Sequence, residues 1–351
     1  MARLLAPPLD AQRFAGALAC VMVLSFVPAA ASATSDDGVR ALSSLDCSNV
    51  PARSVADILA HFRAPHVIAL QGSVPIVTMA PLVAFLAAMG YPQAQLVQAG
   101  PDPRSRSSFV DSRRIAGELA WHYERDGLMP VLIGHSQGGM VVVKVLHELA
   151  AEGSPSPIAV WNPESDAPQS RTTITDPHTG ERRGLASLKV DFASAMVTGS
   201  LPRIVLGQWG MLSLLREVPD SVREFTGFAI PWDLIAGTGA EPAPYRSMGT
   251  ARVRNVVLPA SYSHVALPRT EHLASQPSTR AWIDAFRPDV ESQLPQADDT
   301  SNLLVAAHLW HGLKRAWCEG AKRIAARDRA SAATPPSRQP DMDVRPWRAT
   351  R

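Results

Sequence analysis

Lysine and cysteine are both scarce in this sequence of 351 residues. Only four of its 34 basic residues are lysines, and its formal net charge is +2. No dense basic run coincides with aromatic side chains, so the electrostatic footprint of a nucleic-acid-binding protein is missing. There is no H-x-x-x-H pair, and no two cysteines are close enough for a local zinc knuckle. The sequence therefore predicts no nucleic-acid partner, no metal and no other cofactor.

The apolar run near the N-terminus is too short to span a bilayer in the usual way. Residues 14–27 (FAGALACVMVLSFV) follow a basic start, and residues 31–33 (ASA) supply the small side chains of a cleavage site. We therefore predict that residues 1–33 form a secretory signal peptide and that the mature protein is secreted or periplasmic. The alternatives are an uncleaved anchor and, less favoured, a lipoprotein modified at Cys20.

Two cysteines remain after removal of this signal peptide, one near each end of the mature chain. Because an exported protein meets an oxidising compartment, Cys47 and Cys318 are a candidate disulfide pair, with two unrelated thiols as the alternative.

Within a linker and helix region at 289–328, residues 302–326 have the apolar stripe of an amphipathic helix. We expect this helix to pack on the protein body; contact with a membrane surface is the less favoured interpretation. The tail, 329–351, is predicted to be disordered.

Short apolar runs alternate with helical patterns through most of the mature chain. Because most of the predicted strands are fully apolar and are joined by helices, they indicate an α/β fold with a mostly parallel central sheet and helices on both faces. This domain is predicted over residues 34–288, with a helical cap inserted at about 164–225. The strands are predicted at 67–70, 94–97, 131–133, 158–161, 228–232 and 253–258.

Residues 134–139 (GHSQGG) are the most informative segment of the sequence. They fit the pattern G-x-S-x-G and lie between an apolar strand and a helix, which is the structural context that the motif requires. A sharp strand-to-helix turn holds the serine in strained backbone angles and brings Gly134 and Gly138 close to it, where a Cβ would clash. The helix that follows directs its free N–H groups at the site. We therefore predict that Ser136 is a catalytic nucleophile.

With this motif in its strand-helix context, the sequence resembles the α/β-hydrolase family over about residues 64–288. The GHSQGG segment looks like the nucleophile elbow of secreted bacterial lipases and esterases. This resemblance implies that a catalytic acid and then a histidine follow the serine in the sequence. It also implies that the side chain of His135 points away from these catalytic groups.

The histidine that fits best is His264, because it lies on a loop just past the last predicted strand. His272 is the second choice. Asp233 follows the penultimate strand, where the family commonly has its acid, and Glu241 is its main rival. Glu164 and Asp166, which follow an earlier predicted strand, fit a less common arrangement.

The oxyanion hole is expected at the end of the first predicted strand. The resemblance implies that the backbone N–H groups of Ser73 and Gln137 are the two donors. Gln71 departs from the His-Gly pair that the family often has before this position. The donors are main-chain groups, so this departure leaves the expected chemistry intact.

The predicted function is exported carboxylic-ester hydrolysis, of the esterase or lipase kind, through a Ser-Asp-His triad and an acyl-enzyme intermediate. The expected partner is a small-molecule or lipid ester. The apolar residues of the predicted cap would suit acyl chains if the cap is a lid over the site, but a cap that only closes the core is the alternative, so ester hydrolysis is better supported than lipid hydrolysis. Two alternatives stay open. One is another acyl-transfer enzyme with the same catalytic groups: an acyltransferase, a thioesterase or a peptidase. The other is a non-catalytic binding protein with the hydrolase fold.

Overall fold

A parallel sheet of five strands forms the centre of the molecule. The structure is a computed structural model that describes residues 36–151, 156–199 and 212–333. Every neighbouring pair in the sheet is parallel, which confirms the predicted α/β class with its mostly parallel sheet. With strands numbered along the chain, the order across the sheet is β1 (Val67–Leu70), β2 (Val131–His135), β7 (Val190–Met196), β9 (Val222–Ala229) and β11 (Arg252–Val257).

Helices lie on both faces of this sheet. Alternate residues of a strand point to opposite faces, so each buried strand contributes to two cores. In β1, Val67 and Ala69 belong to one core, whereas Ile68 and Leu70 belong to the other. The described helices are α1 (Asp36–Ser44), α2 (Ala52–Asp57), α3 (Ala80–Ala88), α4 (Ser112–Asp126), α5 (Gln137–Ala150), α6 (Glu271–Ser275), α7 (Pro277–Ala285) and α8 (Leu303–Ala333).

Two predicted strands do not join the central sheet. Residues 94–97 were expected to form one, but the chain makes a 3₁₀ turn at Gln93–Gln95 instead. At 158–161, only Trp161 becomes part of a strand, and that strand pairs in a small antiparallel hairpin. The hairpins are β3 (Trp161–Asn162) with β4 (Ala167–Pro168), and β5 (Thr173–Thr175) with β6 (Arg182–Gly184). A further two-stranded pair is β8 (Glu217–Val218) with β10 (Arg246–Ser247).

The segment predicted as a helical cap, 164–225, instead contains a strand of the central sheet. All seven residues of β7 are buried, including Asp191. A buried carboxylate in a strand is stable only when it is paired, and Arg223 and Arg323 both form ion pairs with Asp191. Because of this polar residue, the sequence pattern did not predict β7 as a buried strand. Residues 200–211, which carry much of the apolar character assigned to the cap, lie outside the described residues.

The C-terminal helix α8 packs on the body of the protein, as predicted. Trp310 and Trp317, from its apolar stripe, are fully buried. The helix continues to Ala333, beyond the end predicted for it and into the segment expected to be disordered. Cys318 is bonded to Cys47, with the two Cα atoms 5.4 Å apart, so the predicted disulfide is present. Within the described residues, no helix combines the length and the apolar character needed to cross a membrane.

The two chain ends are outside the described part of the structure. The predicted signal peptide, 1–33, falls there, as does the tail from residue 334 onward. Every helix and strand named above lies within residues 36–333.

Candidate active site

Ser136 lies in the turn between β2 and α5, at the carboxyl end of the central sheet. Its backbone angles are φ 54° and ψ −119°, which a residue with a side chain rarely adopts. Such strain persists only where the surrounding structure imposes it. Here the Ser136 N–H donates to Met196 O over 2.8 Å, so the neighbouring strand fixes the turn.

Two glycines allow the tight approach of main chain at this turn. A Cβ on Gly134 would lie 2.3 Å from Gly138 O, and a Cβ on Gly138 would lie 2.3 Å from Leu70 O. Both obstacles are backbone atoms, which cannot rotate away as a flexible side chain could. The strand-to-helix turn predicted from the motif is therefore present, and it depends on these glycines in the way the motif implies.

The side chains of Ser136, His264 and Asp233 form a continuous hydrogen-bonded chain. His264 Nε2 is 3.0 Å from Ser136 Oγ, and His264 Nδ1 is 2.6 Å from Asp233 Oδ2. All three residues are buried, each less than a tenth exposed. The three segments of the sequence predicted to supply nucleophile, base and acid thus meet at one point.

Both carboxylate oxygens of Asp233 accept hydrogen bonds, which fix the orientation of the side chain. Oδ2 accepts from His264, while Oδ1 accepts from the backbone N–H groups of Ile235 and Ala236, each over 3.0 Å. Burial alone would raise the pKa of Asp233, but these hydrogen bonds outweigh it and hold the pKa below its usual value. Asp233 is therefore an ionised acceptor at neutral pH, which suits a group that orients an imidazole.

His264 begins a 3₁₀ turn after β11, and His135 supports it from the elbow. His135 Nε2 lies 2.8 Å from the main-chain oxygen of His264. Because a carbonyl only accepts, this nitrogen carries the proton and donates. Burial and the neighbouring His264 lower the pKa of His135 to about 4, so its ring is neutral. The expectation that His135 points away from the catalytic groups is thus wrong: its ring contacts the backbone of the base.

The other acids and histidines considered from the sequence lie elsewhere. Glu241 is exposed. His272 lies 3.5 Å from Asp299 and contacts none of the three residues in the hydrogen-bonded chain. Glu164 pairs with Arg125, and Asp166 pairs with Arg114. The structure therefore gives Asp233 the position next to His264.

The loop after β1 lies directly beside the nucleophile. A Cβ on Gly72 would be 3.1 Å from Ser136 Cβ and 3.6 Å from Ser136 Oγ. Ser73 follows this glycine, and Gln137 opens α5. Within the described part of the chain, neither of their backbone N–H groups donates a hydrogen bond, so both remain free to serve as the predicted oxyanion donors.

A side-chain anchor holds this loop in place, and sequence reasoning missed it. Ser105 Oγ donates to Gln71 Oε1 over 2.6 Å and accepts from the Met79 N–H over 2.8 Å. Gln71 N–H in turn donates to Arg106 O over 2.9 Å. The residue that departs from the family's His-Gly pair therefore has a definite role. Only tertiary structure brings Ser105 to it, so no local pattern could have identified this contact.

Exposed apolar side chains occur on the three loops that carry Ser73, Asp233 and His264. Ile76 follows the Ser73 loop and is 89% exposed, while Trp232 and Leu234 flank Asp233 and are 67% and 84% exposed. Val265, next to His264, is also partly exposed. Single exposed apolar residues are ordinary, but these four lie on loops that surround the same serine.

Comparison with known proteins does not identify the chain. No protein-family model matches it, and no curated protein matches its sequence. Its function is therefore inferred from the chemistry of the site.

Proposed function

We propose that this protein is a serine hydrolase of the α/β-hydrolase family and that it cleaves carboxylic esters. The observation that carries the proposal is the hydrogen-bonded chain from Ser136 Oγ through His264 to Asp233. A buried serine at a strained turn, within reach of a base that is itself oriented by a third group, is the arrangement of nucleophilic catalysis.

In the proposed reaction, Ser136 Oγ attacks the ester carbonyl carbon while His264 Nε2 takes its proton. Asp233 holds the ring so that Nε2 faces the serine, and its charge stabilises the imidazolium that forms. His264 then gives the proton to the departing alkoxide oxygen, leaving an acyl group on Ser136. A water molecule then attacks the acyl carbonyl carbon while His264 takes a proton from it. His264 returns this proton to Ser136 Oγ as the acyl–serine bond breaks, giving the carboxylic acid and the free serine.

The negative charge of the tetrahedral intermediate needs hydrogen-bond donors that are already in place. The free backbone N–H groups of Ser73 and Gln137 are suited to this, since the two loops meet at Ser136. The N-terminus of α5 adds its partial positive charge. Removing one donor of this kind from an enzyme typically costs about 10²–10³ in kcat.

We propose that the substrate ester carries an apolar group. The apolar side chains on the surrounding loops, with Ile76, Trp232 and Leu234 the most exposed, would contact an acyl chain or apolar alcohol near the serine.

We also propose that the protein works after export. The Cys47–Cys318 disulfide supports this, because such bonds persist mainly in oxidising compartments.

The deciding experiment is active-site labelling of the purified protein with a fluorophosphonate probe, combined with turnover of p-nitrophenyl esters of increasing acyl length. The wild type is expected to be labelled at Ser136 and to hydrolyse these esters, whereas Ser136→Ala should do neither. Ser275→Ala is the matched control, because Ser275 is exposed and its hydroxyl donates to His272 O, away from Ser136. Labelling that persists in Ser136→Ala, or a wild type that is neither labelled nor active, would refute the proposal.

A further inference from the structure

Two histidines and an aspartate cluster at the end of the molecule away from Ser136. His66 immediately precedes β1, whereas His122 and Asp126 lie one turn apart near the end of α4. His66 Nε2 is 3.5 Å and His122 Nδ1 is 3.7 Å from Asp126 Oδ2. The three ligand atoms all lie within 4.8 Å of one another.

These distances are too long for ordinary hydrogen bonds but are close to those between ligands of one metal ion. N–H···O hydrogen bonds have lengths of about 2.7–3.2 Å. Ligand atoms at about 2.0–2.1 Å from a tetrahedral Zn²⁺ are separated from each other by roughly 3.3–3.4 Å. The two histidine-to-carboxylate distances, 3.5 and 3.7 Å, are slightly longer than this separation. Asp126 Oδ2 therefore lies near both imidazole nitrogens, as it would if one ion were shared among them.

One of the donor atoms has no other use in the described structure. His122 Nδ1 is buried and has no hydrogen-bond partner there. A buried polar atom without a partner is costly, and a metal ion would satisfy it. Asp126 is oriented from its other side, because Arg63 Nη1 donates to Oδ1 over 2.6 Å and leaves Oδ2 facing the histidines. Hydrogen bonding of this kind to a ligating carboxylate is typical of metal sites.

We propose that His66 Nε2, His122 Nδ1 and Asp126 Oδ2 bind a divalent transition-metal ion, with Zn²⁺ the expected occupant. Two imidazole nitrogens favour a transition metal over Mg²⁺ or Ca²⁺, which prefer sets of oxygen ligands. The three residues also line a cavity of about 290 Å³, which has room for a water molecule as the fourth ligand. This proposal replaces the sequence-based expectation that the protein has no metal.

The expected role of this ion is structural. His66 precedes β1, while Gly72, beside Ser136, follows it, so the two sites lie at opposite ends of that strand. A metal here would link the last turn of α4 to the beginning of β1. It would have no part in the proposed ester hydrolysis, and the proposal does not depend on that function.

The test is metal binding by the untagged, full-length protein after treatment with a chelator. Zn²⁺ is titrated in competition with a chromophoric chelator, and the bound metal is counted by elemental analysis. We expect one Zn²⁺ per chain. In His122→Gln and in Asp126→Asn the Zn²⁺ affinity should fall by more than roughly 10–100-fold, which is the typical loss when a residue that only hydrogen-bonds to a ligand is removed. His272→Gln is the matched control, since His272 also faces a carboxylate at 3.5 Å but lacks a second histidine. Its Zn²⁺ affinity should equal that of the wild type.

Two further measurements on the wild type keep the test independent of how well the variants fold. Co²⁺ substitution should give the visible d–d bands of a low-coordinate nitrogen and oxygen site, without thiolate charge-transfer bands. Saturating Zn²⁺ should raise the melting temperature. The proposal is overturned if the wild type binds no stoichiometric Zn²⁺, or if binding is the same in wild type, His122→Gln and Asp126→Asn.

Discussion

His135 Nε2 donates a hydrogen bond to the main-chain oxygen of His264 over 2.8 Å. Because His135 is the residue immediately before Ser136, one imidazole ring connects the turn that holds the nucleophile to the loop that holds the base. The two rings lie 5.2 Å apart in an edge-to-face arrangement. His135 is therefore a positioning residue in the proposed mechanism: it acts on His264 and does not touch the reacting atoms.

We expect His135→Leu to lower kcat by roughly 10–100-fold. The variant leaves the His264 carbonyl without this buried donor, at a cost of about 1–3 kcal/mol, and each 1.36 kcal/mol in a barrier is tenfold in rate. KM should change little, because His135 is buried and acts on the backbone of His264. His135→Gln retains an N–H donor and should recover part of the rate. A Leu variant with wild-type kcat would show that the bond does not position His264.

Asp233→Asn is expected to lower kcat by up to roughly 10⁴-fold, since an amide can hold the ring in the wrong tautomer. Glu241→Gln is the control: Glu241 is exposed, and its variant should keep wild-type kinetics. Steady-state turnover of a p-nitrophenyl ester measures both. A larger loss in Glu241→Gln than in Asp233→Asn would move the acid to Glu241.

The candidate site could be predicted from sequence more completely than the fold around it. The elbow has strong local constraints, because Gly134 and Gly138 are needed wherever a strand turns this sharply into a helix. His264 and Asp233 could be located because they follow the last two predicted strands, and the carboxyl ends of parallel strands meet at one edge of a sheet. Their contact with Ser136 is then a consequence of topology.

What escaped prediction depends on contacts between distant segments. β7 contains Asp191, which is compatible with a buried strand because Arg223 of β9 and Arg323 of α8 both pair with it. The anchor between Gln71 and Ser105 is likewise non-local. In the cluster of His66, His122 and Asp126, the last two residues have the i, i+4 spacing of a helix, but His66 precedes a strand and its position beside them depends on the tertiary structure. Periodicity and local motifs carry no information about such pairs.

The protein should lose stability as the pH falls below about 6.5, partly because of His308. Burial and the nearby Arg254 lower the pKa of His308 to about 3. Its ring packs edge-to-face against Phe228 and Phe286. Since the unfolded chain takes up this proton near pH 6.5 and the folded chain does not, acid favours unfolding. By this linkage, His308 alone should reduce the free energy of unfolding by roughly 2 kcal/mol between pH 8 and pH 5.

Urea unfolding of wild type and His308→Gln at both pH values measures this effect. The variant loses packing and should be less stable at pH 8, so the informative quantity is the change with pH, which should be smaller in the variant by about the same 2 kcal/mol. Identical pH dependence in wild type and His308→Gln would contradict the prediction.

The disulfide between Cys47 and Cys318 should be a major source of stability for the C-terminal helix. It joins residues 271 positions apart, and Cys318 is fully buried among the residues that α8 packs into the core. Loop-closure entropy for so long a loop predicts a stabilisation of roughly 5 kcal/mol, an upper figure because residual structure in the unfolded chain reduces it. We expect Cys47→Ser to lower the free energy of unfolding by several kcal/mol, and Cys47→Ser with Cys318→Ala to lower it by a similar amount.

Denaturant unfolding of the oxidised and reduced wild type separates the effect of the bond from that of the substitutions. Reduction should lower the midpoint for the wild type and leave it unchanged for the double variant, which has no bond to lose. Non-reducing peptide mapping should find Cys47 and Cys318 in one linked pair. Proteolysis of the reduced protein should cut first within or before α8, because the bond fixes this helix to the N-terminal segment just after α1. Two free, alkylatable thiols in the exported protein, or a reduced wild type as stable as the oxidised one, would show that packing alone holds α8 in place.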